Sequence, residues 1–157
     1  MNLSSLFSSS KINQIWVENS HEKLINHPQY GMISPNAFRA KFANTLCPHC
    51  LRMMKHGNSF RTQSREEAIA RKFYYLDGEG KRHFCQIKST YFSDRYVTLD
   101  HKLNKARFPD KMFNADNLEA ICWKCNQIKF DNNLFGILRT RANSRKARRK
   151  LFKDLYL

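Results

Sequence analysis

Two pairs of cysteines set the tightest limit on how this chain can fold. Cys47 and Cys50 stand in CPHC, and Cys122 and Cys125 in CWKC, with 71 residues between the pairs. A C-x-x-C turn lets two thiolates grip one ion, and two such turns close a tetrahedral shell. The spacing therefore predicts a structural zinc on Cys47, Cys50, Cys122 and Cys125 that staples distant parts of the chain. At 157 residues the chain is about one domain with a modest core, the size at which a staple matters. Two unrelated pairs, or a redox pair, are the plainer alternative, and two matched pairs in one short chain argue against it. His49 lies inside the first knuckle but is left out, because four thiolates already fill the shell. Cys85 has no partner pair and reads as a small buried apolar residue.

Charge narrows the partners. Twenty-eight Lys and Arg against thirteen Asp and Glu leave +15, an excess that favours a polyanion. Nucleic acid leads. An anionic membrane surface is the rival, but no basic helix here carries the Trp/Phe/Leu face of an interfacial helix. No apolar run approaches the ~18–20 residues of a membrane span, and the serine-rich start is too broken for a signal peptide. With a mean hydropathy of -0.66, the expectation is an intracellular protein, cytoplasmic and nucleoid-associated.

Along the chain, residues 1–33 carry little pattern and read as a loosely packed arm. Ser34 and Pro35 open a helix whose Phe38, Phe42 and Leu46 fall four apart, so the helix is expected to run into Cys47. Residues 51–95 read as an insertion: a short helix from the capping box SREE, then a hairpin around Asp77–Gly80. Phe73, Tyr74, Tyr75, Arg82 and Tyr91 could line a nucleic-acid groove or form the hairpin's packed face, and packing is the better reading. RYVTLDH and NLEAIC are strand candidates. The pattern turns helical from about Trp123, and a basic C-terminal helix is expected over 133–155.

The stretch YVTLDHKLN places Asp100 beside His101 where a strand meets a basic loop. Downstream stands NADNLEAICWKCNQIK, in which the second cysteine pair is embedded. A strand ending in Asp-His, then DNL, then a strand running into C-x-x-C-N-x-x-K resembles the HNH endonuclease family. The resemblance spans about 46–50 and 96–132. It implies an α+β fold: a small ββα-metal (His-Me finger) core stapled by the four-cysteine zinc, with an inserted hairpin and flanking helices. The nuclease domain would be 34–157.

The resemblance also implies roles. His101 matches the general base, and Asp100 and Asn126 the ligands of a catalytic Mg²⁺ or Mn²⁺. Oxygen donors suit such hard ions. Asn117 matches the residue that pins the loop and orients the histidine, and Lys129 would meet a phosphate. Arg141, Arg145 and Arg148 share a helical face and would contact the DNA backbone. Asp100 and His101 would point to opposite faces of a regular strand, so the strand is expected to bend or end there. The implied function is metal-dependent hydrolysis of duplex DNA, of restriction, homing or nicking type. A homodimer would supply the second cut of a double-strand break. Two alternatives stay open: a non-catalytic zinc-stabilised nucleic-acid-binding module, and a structure-selective, resolvase-like nuclease.

Overall fold

Short elements dominate the computed structural model, which describes residues 8–136. Helix α1 (Ser9–Glu18) begins at Ser8, whose hydroxyl accepts from the Lys11 amide at 3.3 Å. A small ribbon of β1 (Ile25–His27) and β2 (Gly31–Ile33) follows. This is the stretch expected to be a loose arm, yet it buries Ile12, Ile25 and Ile33. A cap at Ser8 and the i, i+3, i+4 spacing of Ile12, Ile15 and Trp16 do mark α1, whereas the three-residue strands are too short to carry a period.

Helix α2 (Pro35–Lys41) has the expected start, with the Ser34 hydroxyl accepting from the Ala37 amide at 3.1 Å. Its end differs from the expectation. The helix stops at Lys41, the Thr45 hydroxyl donates to the Phe42 carbonyl at 2.8 Å, and Asn44 takes φ +60. Leu46 is therefore 57% exposed and pairs across to Met53 instead of continuing the apolar face. Three or four apolar residues at helical spacing mark a face, but local side-chain bonds to the backbone can end the helix sooner.

The middle segment holds β3 (Arg61–Thr62), α3 (Arg65–Ala70), β4 (Tyr74–Leu76), β5 (Arg82–Phe84), β6 (Gln86–Ile87) and β7 (Thr90–Phe92). Ser64 caps α3 through the Glu67 amide at 3.2 Å, and β4–β5 form the expected hairpin, with Tyr74 opposite Phe84. A second antiparallel sheet in the order β3-β7-β6 was not foreseen, since its strands are two or three residues long. Phe73 and Tyr91 are buried with Ala68, so these two aromatics belong to packing; Tyr74 and Tyr75 are half-buried and Arg82 is exposed.

The longest pairing joins β8 (Val97–His101) to β9 (Leu118–Cys122), antiparallel over five residue pairs from Val97–Cys122 to His101–Leu118. Helix α4 (Trp123–Gly136) follows directly. Among the described residues the result is a small mixed α/β fold with four helices and four small sheets. The main core gathers Ile25, Phe38, Met54, Val97, Leu99 and Ile121. The chain divides into two compact units, Met1–Cys125 and Asn126–Leu157. The basic helix expected over 133–155, with Arg141, Arg145 and Arg148, lies outside the described residues beyond Gly136.

Candidate metal centre and histidine site

The two knuckles meet at the end of the β8–β9 ribbon. The Sγ atoms of Cys47, Cys50, Cys122 and Cys125 all lie within 4.8 Å of one another. Cys50 and Cys122 are 3.7 Å apart. Sulfurs held at about 2.3 Å from one ion would form a tetrahedron with edges of about 3.8 Å, so the cluster is the right size. The backbone arranges it. Leu51, at φ +57, reverses the chain after Cys50, and the Leu51 amide donates to the Cys47 carbonyl at 2.8 Å. The Cys122 amide in turn points at Cys47 Sγ from 3.5 Å.

The charges in the cluster favour a cation. Hydrogen bonds from neighbouring thiols, Cys125 first, pull Cys122 down to about 5. Cys125 is pushed far up, chiefly by its bond to Cys122, and burial raises Cys50. One negative charge is thus easily held and further ones are resisted, until a divalent ion supplies the opposing charge. These four residues can hold a metal ion such as zinc, and among the described residues no other group of three or more His, Cys, Asp or Glu can. Cys85 stays apart, fully buried beside Tyr96 and Trp123, and burial raises its thiol well above the usual range.

Ten residues of loop and turn separate His101 from its nearest anchor. The imidazole is 9% exposed, and its Nε2 lies 3.0 Å from the Met112 carbonyl. A carbonyl only accepts, so the proton sits on Nε2 and the lone pair on Nδ1. Burial, then the nearby Lys105 ammonium, lowers the group to about 4, against the upward pull of the Met112 carbonyl. His101 is therefore a neutral imidazole at physiological pH.

Asn117 ties the same loop. Its Oδ1 accepts from the Leu103 amide at 2.7 Å, and its Nδ2 donates to the carbonyls of Leu103 (3.2 Å) and Lys111 (3.0 Å). Lys111 immediately precedes Met112, so this buried amide also fixes the carbonyl that holds His101.

Asp100 takes a different face. Burial alternates regularly through Val97–His101, with His101 inward and Asp100 half-buried opposite Glu119. The expected bend does not fall between them: the ribbon's five pairs keep the strand regular, and it ends only after His101. Glu119 pairs with His49 of the first knuckle at 3.1 Å. Lys105 links the two faces electrostatically: burial lowers its ammonium, Asp100 offsets this in part, and its charge acts on His101.

Asn126 and Lys129 are half-buried residues of α4, one and four positions after Cys125, in the second unit. Two neighbours of His101 escaped sequence reasoning. Trp16 of α1 meets the imidazole edge-on, with centroids 4.6 Å apart, and stacks on Phe113 at 5.4 Å. Lys105 lay in a basic loop with no pattern to single it out. Nothing in the spacing of a tryptophan 85 residues upstream announces contact with His101. No protein-family model matches this chain, and no curated protein or solved structure matches it.

Proposed function

We propose that this chain is a metal-dependent endonuclease of the HNH type, hydrolysing phosphodiester bonds of DNA, with its ββα core in β8, β9 and α4. The observation that carries the reading is the state of His101. It is a neutral imidazole, its proton committed to the Met112 carbonyl and its other nitrogen left as a base.

In this mechanism His101 Nδ1 takes a proton from water as the water oxygen bonds to phosphorus. The bond from phosphorus to the 3′ oxygen then breaks, and that oxygen leaves with a proton from solvent. By the family resemblance the products carry a 5′-phosphate and a 3′-hydroxyl. Asn117 acts as a positioning residue, holding the loop that carries Met112. Lys105, whose charge acts on His101, contributes positive charge near a phosphate that reaches His101.

By the family resemblance Asp100 would supply a carboxylate oxygen and Asn126 an amide oxygen, donors of a kind suited to Mg²⁺ or Mn²⁺. Asn126 takes its part from the sequence motif. Such an ion, when bound, would offset charge on the scissile phosphate. The four cysteines would hold a structural zinc, and Lys129, Arg141, Arg145 and Arg148 would meet the backbone. One unit cuts one strand, so a double-strand break needs a second copy or a second event.

One observation favours a second reading, a non-catalytic zinc-stabilised nucleic-acid-binding module. His101 is nearly covered, with Trp16 against its ring. Zinc-loaded protein incubated with supercoiled plasmid separates the two. The nuclease reading expects nicked circles in Mg²⁺ and intact plasmid in Ca²⁺. Binding without nicking in Mg²⁺ or Mn²⁺ supports the module.

A further inference from the structure

The middle segment, 51–95, carries ten Lys and Arg against five Asp and Glu, and three of its six arginines are already committed. Arg52 pairs with Asp94 at 2.8 Å, Arg71 with Glu67 at 2.8 Å and with the Ser59 carbonyl, and Arg61 with Asn58. Arg65 and Arg82 are different. Among the described residues the side chain of neither donates a hydrogen bond or joins an ion pair. Each instead lies over an aromatic ring: Arg65 over Phe84 at 4.8 Å, and Arg82 over Tyr74 at 4.4 Å.

These two rings are themselves partners. Tyr74 and Phe84 face each other across the β4–β5 register and meet edge-on with centroids 5.9 Å apart. Arg82 and Leu76 are the next pair but one, so they share that face. The order Arg65, Phe84, Tyr74, Arg82 is a ladder with a guanidinium at each end. The opposite face is occupied otherwise. Tyr75 stacks on His83 at 5.2 Å and packs against the cluster of Cys85, Tyr96 and Trp123.

We propose that this ladder binds the phosphate backbone of a nucleic acid. The proposal rests on the nucleic-acid reading above but not on catalysis. A guanidinium lying on a ring loses little freedom on binding, and its fork of N–H donors matches phosphate oxygens two at a time. Competing acids nearby are turned elsewhere. Glu66 accepts from the Ser64 hydroxyl at 3.0 Å, Glu67 from Thr62 at 2.6 Å, and Asp77 pairs with His83 at 2.8 Å. The hairpin and the start of α3 thus present two guanidinium groups ordered on rings, with Glu66 beside Arg65 as a partly opposing charge.

The test uses the full zinc-loaded chain and a fluorescein-labelled DNA duplex, read by anisotropy in Ca²⁺ between 50 and 200 mM salt. Replacing both arginines, Arg65→Gln with Arg82→Gln, is expected to weaken binding about tenfold or more and to lower the log–log salt slope by about 2. Tyr74→Leu keeps the charge and removes the ring under Arg82, and is expected to weaken binding severalfold. Lys72→Gln with Lys88→Gln removes the same charge from exposed positions of the segment and is expected to stay within about threefold of wild type. Melting temperature and zinc content confirm that each variant is folded.

Wild-type affinity and slope in the double arginine variant overturn the proposal. So does an equal loss in the lysine pair, which would mean general charge and no ladder. A loss seen only with phosphatidylserine vesicles, and not with DNA, overturns the nucleic-acid assignment. Because no arm reads cleavage, a chain that binds through the ladder yet never cuts removes the nuclease reading and leaves this one standing.

Discussion

The β8–β9 ribbon and the β4–β5 hairpin are both two-stranded and antiparallel, and they are held by different means. The ribbon packs Val97, Leu99, Ile121 and Cys122 into the main core and ends in the cysteine cluster. The hairpin pairs three residues on each strand, buries Phe73 and Tyr91 in a satellite cluster and covers its rings with arginine. An isolated two-stranded ribbon is marginal in water. One of these gains its stability from apolar burial plus four converging thiols, the other chiefly from aromatic packing, arginine on its rings and the Asp77–His83 pair. The first arrangement fixes side chains tightly enough to hold one tautomer of an imidazole. The second leaves an ordered surface with unspent donors.

The largest expected effect comes from breaking the ribbon's staple. Cys122→Ser removes one sulfur of four and a core residue, and the whole Met1–Cys125 unit should lose its cooperative transition, because metal binding free energy becomes folding free energy at such a site. Circular dichroism melts and zinc analysis of the purified variant check this. A sharp wild-type melt with the metal gone would show that the core needs no staple.

Next is Asn117→Ala. It strips a donor from two carbonyls and an acceptor from one amide of the loop that the buried Asn117 ties down. The expected cost is about 3 kcal/mol by urea unfolding, at ~1 kcal/mol for each of the three hydrogen bonds lost. Phe73→Ala is the matching deletion beneath the hairpin. Emptying a 4% exposed phenyl site should cost about 3 kcal/mol, yet zinc content should stay at one ion per chain. Loss of zinc in this variant would show that the two regions are not independently held.

Acid acts on the ribbon in a defined window. The fold keeps His101 neutral down to about 4, while the unfolded imidazole takes up a proton near 6.5. Stability from this group is therefore full above pH 6.5 and lost as pH falls from 6.5 toward 4, by up to about 3 kcal/mol. His56, lowered first by burial and then by Arg39 and Arg61, moves the same way. Urea midpoints of zinc-loaded protein across pH 4–7 measure it, and His101→Gln should flatten the dependence.

The ribbon was more legible in the sequence than the rest. RYVTLDH and NLEAIC announced their strands through β-branched residues, and the C-x-x-C pairs announced their convergence. Ser34 and the SREE box announced two helix starts, because capping is a local interaction. Trp16 and Lys105 were invisible because their contacts with His101 are set by tertiary packing, which no local period encodes. The early stop of α2 was invisible for the opposite reason, a purely local competition at Phe42–Thr45 that apolar spacing does not register. The alternation of Asp100 and His101 across the strand followed from pleat geometry, but the absence of a bend between them did not.

The central claim is that a scaffold built on four thiols holds His101 as a neutral base beside Asp100. The most direct measurement compares plasmid nicking in Mg²⁺ by wild type and His101→Ala, each verified to be folded and to carry one zinc. The account predicts nicked circles with 5′-phosphate ends from wild type and a loss of at least about a hundredfold in the variant. Equal rates of nicking by the two proteins would contradict it.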